Sequence, residues 1–161
     1  MTKMKMLMNK IMLATTAILI MIIVSGEIMY NRAANTGDTA WSFYLQTSSW
    51  NYSYTTVRPK EDYSKSYCNV QNKDSSLKSI FVAPFAIETA NTAPSAGTII
   101  STTGEPYIIR TIGRYHISNY TKERGYGYES LGMRSANGSG IASGKWSPDS
   151  AYSGNDIVVL P

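Results

Sequence analysis

The chain has 161 residues, enough for one ordinary domain and short for two. Apolar residues make up 43% and charged residues 16%, which excludes a disordered polyelectrolyte and a coiled coil. One Cys excludes an internal disulfide framework and a Cys-based zinc cluster, and one His excludes a multi-histidine metal site.

The composition breaks near residue 26. Six of the eight Met residues precede residue 22, while every Trp, Tyr and Phe lies at or beyond Tyr30. Lys3, Lys5 and Lys10 form a positive start, and Ile11 to Val24 is an uncharged apolar run of 14 residues. Ser25-Gly26 follows, then Glu27. This order is that of a secretory signal peptide. The run is short for a spanning helix, which needs about 20 residues. Val24 and Gly26 supply small side chains at the positions signal peptidase reads, so cleavage is expected between Gly26 and Glu27. An uncleaved N-terminal anchor with the domain outside the cell is the alternative. Only in that case would the chain touch a membrane. Removing three lysines from 15 bases leaves 12 against 11 acids, a net charge near +1. A concentrated basic face for nucleic acid is therefore not expected.

Residues 27–39 are a polar lead-in to a single β domain over residues 40–161. Trp41, Phe43 and Leu45 alternate with Ser42 and Tyr44, and Trp50, Tyr52 and Tyr54 alternate with Asn51 and Ser53. Large aromatics at spacing two are strand material. A four-residue loop, Gln46 to Ser49, predicts a hairpin pairing Leu45 with Trp50, Phe43 with Tyr52 and Trp41 with Tyr54. Arg58 to Asp62 is a charged connection around Pro59. Tyr67 to Val70 is a short strand with Cys68 and Val70 facing inward, and Gln71 to Ser76 a polar turn.

Ile80 to Ala83 is an apolar run that Pro84 interrupts and Phe85 to Ile87 resumes. Ala90 to Gly97 is a loop. Thr98 to Ile100, Tyr107 to Ile112 and Tyr115 to Ile117 are further strand candidates. Tyr126 and Tyr128 alternate with glycines, and Leu131 and Met133 are read as continuing that alternation. Ser135 to Gly144 is flexible or hairpin-like, Trp146 to Ser150 a turn, and Ile157 to Leu160 a last strand. About eight short strands predict an all-β, antiparallel β-sandwich or small barrel preceded by a signal-peptide helix.

Two stretches carry a resemblance. Arg58-Pro-Lys-Glu-Asp-Tyr-Ser-Lys-Ser-Tyr67 resembles an R-x-K-x-D-x-S-x-x-Y stretch, and Gly144-Lys-Trp-Ser-Pro-Asp-Ser150 resembles a G-x-W-S-P-D-S ending. Together with the leader they are similar to a family of small secreted Gram-positive bacterial proteins of unassigned function. Asn119 to Tyr126 is weakly similar to the same family. The layout of leader and aromatic β domain is also similar to lactococcin-972-like bacteriocins. The resemblance supplies no catalytic residues.

The residues themselves point away from an enzyme. His116 has no close acid in sequence and no Gly-x-Ser-x-Gly elbow accompanies it, so it reads as a strand histidine. Cys68 reads as a buried inert thiol. Asp38 with Asn35, and Asp149 with Asn155 and Asp156, do not follow a calcium-loop spacing and read as turn residues. Gly125 to Tyr128 opens no helix and so is not a phosphate loop. The sequons at Asn51, Asn119 and Asn137 read as accidental.

No catalytic, metal or cofactor-binding residues are expected. Trp41, Phe43, Trp50, Tyr52 and Tyr54 are expected to form core rather than a sugar platform. Tyr44, Tyr126 and Tyr128 are the expected surface contacts. The expected function is a secreted, non-enzymatic protein acting by surface recognition on a cell-envelope component or another cell's surface, bacteriocin-like in its most concrete form. A cell-wall or carbohydrate-binding module, and an extracellular hydrolase, are the alternatives.

Overall fold

A computed structural model describes residues 36–94 and 106–160. The leader, the cut at Gly26 and Glu27, and the strand expected at Thr98 to Ile100 lie outside the described residues.

The described residues are all-β, with no α-helix. Ten strands follow in order: β1 Thr39–Leu45, β2 Ser53–Tyr54, β3 Arg58–Pro59, β4 Ser66–Lys73, β5 Ser79–Ile87, β6 Tyr107–Ile109, β7 Gly113–Ile117, β8 Tyr128–Asn137, β9 Gly140–Ser147 and β10 Ile157–Leu160. One sheet has the order β1-β9-β4-β7-β10. The other has the order β2-β8-β5-β6, with β3 also paired to β8. Neither sheet closes into a barrel. Trp41, Cys68, Val70, Ile117 and Trp146 of the first sheet share one buried cluster with Ile80, Val82, Ile109, Leu131 and Met133 of the second. Two open sheets joined by one apolar interior have the layout of a sandwich.

The alternation in β1 directs Trp41 and Leu45 into that interior and leaves Tyr44 60% exposed. The expected hairpin does not form. β1 pairs with β9, Phe43 facing Ala142, whereas Ser53 and Tyr54 pair with Met133 and Gly132 of β8 in the other sheet. The turn itself is present, since the Ser49 N–H reaches the Gln46 carbonyl. The chain then crosses to the second sheet. Tyr52 and Tyr54 pack edge-on against Phe85, at 5.2 and 5.0 Å between ring centroids. Gly132 makes the space for them, because a Cβ there would meet both Phe85 and Tyr52. Trp50 is 81% exposed and is not core. Alternation gives a strand its period but not its partner. Aromatic edge contacts on the outer face of the second sheet decide the partner here.

Other boundaries shift for identifiable reasons. β5 runs unbroken through Pro84, which faces Leu131. Leu131 directs both its carbonyl and its N–H to Thr55 on its far side, so Pro84 owes β8 no donor. On its other flank β5 is covered by β6 only at Ile80 to Val82. β4 continues to Lys73 through a bulge between Val70 and Asn72, replacing the expected polar turn. Trp146 lies within β9, fully buried, rather than anchoring a turn. Leu131 and Met133 point inward, on the opposite parity from Tyr128, so the two alternations are not one. The hairpin-like reading of Ser135 to Gly144 gives way to a crossover: the chain turns at Gly138 with φ +81° and passes from β8 in the second sheet to β9 in the first.

Gly144 allows β9 to lie close beside β4 at the bulge. A Cβ there would sit 1.9 Å from the Asn69 carbonyl oxygen and 3.1 Å from the Trp41 ring. Gly144→Ala should cost about 1–3 kcal/mol by forcing the two strands apart. A urea titration against the wild type measures it.

Candidate functional site

The stretches that stand out in the sequence meet at one end of the sandwich. Arg58 faces Glu129 in the β3–β8 ladder, and the Lys60 N–H reaches the Gly127 carbonyl. The chain then turns Lys60 inward. Asp149 follows the end of β9, where the Ser147 hydroxyl donates to the Asp149 carbonyl at 2.7 Å. Lys60 and Asp149 thus meet across 89 positions of sequence, Nζ to Oδ1 at 2.8 Å. Both side chains are fully buried. The Lys60 ammonium also donates to the carbonyls of Pro148, at 2.7 Å, and Ser64, at 2.5 Å. The Asp149 carboxylate accepts the N–H groups of Glu61, at 3.0 Å, and Asp62, at 3.4 Å.

Glu129 completes the cluster. It lies on the inward parity of β8 and is itself fully buried. Its two oxygens accept the hydroxyls of Ser66 and of Thr121, the latter at 2.7 Å. Burial pushes its carboxyl up to about 7, partly offset by the nearby Lys60 charge and these hydroxyls. Asn119 ties the group together, donating to the Ser64 carbonyl at 3.2 Å and the Ser66 hydroxyl at 2.9 Å. Arg58 lies over the Trp146 ring, with Cζ 5.9 Å from its centroid. The segments 58–67, 119–129 and 146–150 are therefore one polar assembly.

The same segments shape a surface cleft of about 500 Å³, lined by Thr36, Asp38, Tyr67, Ser147, Ser150 and Tyr152 among others. The buried cluster fixes its wall, because Ser150 follows Asp149 and its N–H donates to the Ser64 hydroxyl at 3.0 Å. Tyr67 and Tyr152 lie 5.8 Å apart and tilted by 42°. Arg114 and Asp156 brace the Tyr152 ring. The Arg114 guanidinium stands 4.9 Å over it and pairs with Asp156 at 2.7 Å, and the phenol donates to Asp156 at 2.6 Å.

His116 and Ser150 meet here, Nε2 to Oγ at 2.6 Å. Burial, assisted by the Lys65 charge, lowers the His116 pKa and favours the neutral ring. The ring edge also meets Tyr67.

The structure separates the other candidates. Tyr44 faces Ile141 just beyond the β8–β9 turn, and lines a small cavity of about 60 Å³ with Arg134. Tyr128 starts β8 at the other end of that strand, and it and Tyr126 are half-buried. Arg134 gathers the rings left on the outer face of the second sheet, 4.2 Å from Phe81, 5.1 Å from Trp50 and 5.4 Å from Tyr52. Cys68 is fully buried and its thiol is pushed up to about 12 by desolvation, as an inert core residue requires. Asp149 faces Lys60 and Asp156 faces Arg114, so the two do not share an ion site. Asn35 lies outside the described residues.

Lys60 lies in the stretch expected as a charged connection, and Glu129 is not among the residues the sequence singles out. The parity of Leu131 and Met133 was the available signal, since it puts Glu129 on the inward face.

Fold and site together define a small all-β domain with a buried lysine–carboxylate cluster beneath a tyrosine-walled polar cleft. The family described as "Protein of unknown function (DUF2712)" matches residues 29–150, and the chain belongs to it. No curated protein matches the chain, and no solved structure does.

Proposed function

We propose that this chain is an exported, non-enzymatic recognition domain that docks on a component of the cell envelope or of another cell's surface. The charged start, apolar run and small residues of 1–26 support export. The observation that carries recognition is the cleft: two tyrosine rings with Thr36, Asp38 and Ser150 among its lining residues. That lining suits a hydroxyl-rich ligand such as a wall glycan, which needs ring faces for its C–H surface and polar atoms for its hydroxyls. Rigid tyrosines supply contact area at low entropic cost. A bacteriocin-like role is the narrower version, supported by the layout of leader and aromatic β domain.

The full chain should be retained on purified wall polysaccharide. Tyr152→Ala should weaken that retention by about 1 kcal/mol, roughly fivefold. Absence of retention by the wild type would overturn the glycan reading, and inhibition of neighbouring cells tests the bacteriocin version.

The His116–Ser150 contact favours a second reading, a hydrolase with Ser150 as nucleophile and His116 as base. Covalent labelling of Ser150 by a fluorophosphonate, lost in His116→Ala, would support it. An unlabelled wild type would leave recognition as the function.

A further inference from the structure

The interior of this domain places an amine, a carboxyl and a second carboxyl together, out of water. Lys60, Asp149 and Glu129 are each at most 1% exposed. The amine nitrogen is already in contact with the carboxyl it faces, at 2.8 Å. We propose that Lys60 and Asp149 condense into an intramolecular amide.

The step balances without any further reactant. A proton passes from the ammonium to the carboxylate, giving an amine and a carboxylic acid. The Nζ lone pair attacks Cγ of Asp149, a C–N bond forms, and the carbonyl electron pair moves onto Oδ2. The Glu61 N–H, 3.0 Å from that oxygen, is placed to hold the developing charge. The adduct passes one proton from Nζ to Oδ1, the pair already in contact at 2.8 Å. The C–Oδ1 bond breaks, the electron pair on Oδ2 re-forms the carbonyl and one water leaves. The products are a neutral amide and one water.

Three features of the site favour this outcome over a lasting ion pair. A buried pair of charges is costly to keep, and the amide removes both. The product keeps the surrounding hydrogen bonds. The amide N–H can donate to Pro148, the Ser64 carbonyl retains Asn119, and the amide oxygen retains Glu61. The reactants are held in contact by the fold, so no encounter has to be paid for in entropy.

Peptide mapping of the folded full chain tests the proposal. In the wild type, the peptides containing Lys60 and Asp149 should be recovered joined, lighter by one water than their sum, with no tryptic cleavage after Lys60. Lys60→Arg should yield the two peptides separately, because a guanidinium does not attack. Separate peptides at full mass from folded wild-type protein, after prolonged incubation at neutral pH, would overturn the amide. If Lys60→Arg does not fold, the wild-type map alone still decides whether the bond exists.

Discussion

Lys60→Met should destabilise the domain by about 3–5 kcal/mol at neutral pH, read from urea or thermal unfolding, the cost of leaving one partner of a buried charge pair behind. The side-chain stem is not the reason, because Met fills a similar volume. The Asp149 carboxylate would stay fully buried, keep the N–H groups of Glu61 and Asp62, and lose the cation at 2.8 Å. The Pro148 carbonyl would lose its lysine donor as well. Adding Asp149→Asn should return much of the loss. A neutral amide still accepts from Glu61 and Asp62 but no longer needs a counter-charge.

That double variant also separates two kinds of tie. Recovery identifies an orphaned charge as the main cost of the single change. If the wild type instead holds a covalent link, both variants lack it. A link closing an 89-residue separation restricts the unfolded chain by about 4–5 kcal/mol in the loop-entropy account of cross-links. The double variant would then stay near the single one. Either way, a chain with one buried cysteine and no disulfide fastens the ends of its two sheets with lysine and aspartate.

What was legible in the sequence follows from what periodicity can carry. The inward set Trp41, Leu45, Cys68 and Val70 is written in spacing two and is where the structure puts it. The last strand, Ile157 to Leu160, is legible for the same reason, though its parallel pairing with β7 is not. The hairpin failed because Trp50, Tyr52 and Tyr54 carry the right period for two different sheets. Only the room at Gly132 over Phe85 selects between them, and a sequence does not display that room.

The site was half legible. The Arg58–Tyr67 and Gly144–Ser150 stretches carry the family resemblance, and they converge. Their chemistry was hidden because Lys60 and Asp149 sit in polar, proline-containing segments that read as solvated turns. Burial comes from contacts 89 positions apart, which no local pattern reports. His116 reads as isolated for the same reason. Its partner Ser150 lies 34 positions on.

Glu129 makes the domain's stability fall as pH rises from about 5 to 8. Burial among Ser66, Thr121 and the sheet interiors pushes its carboxyl up to about 7, against an ordinary value of 4.5. The folded state therefore holds this proton more tightly than the unfolded state does. Between those two values the unfolded chain has released the proton while the folded one still binds it, so rising pH favours unfolding. The contribution is fully present below about 4.5 and is lost as pH passes about 7. A gap of that size corresponds to about 3 kcal/mol.

Glu129→Gln removes the titration while leaving an amide that can meet both hydroxyls, one as acceptor and one as donor. The other carboxylates titrate in both proteins. The difference between wild type and variant, followed by urea unfolding at intervals from pH 5 to pH 8, therefore isolates this one group. The variant should gain on the wild type across that window and level off above pH 8. A constant difference would mean that Glu129 is charged in the folded state throughout. It would then be a permanent third charge beside Lys60 and Asp149, held by its hydroxyl donors rather than by a proton.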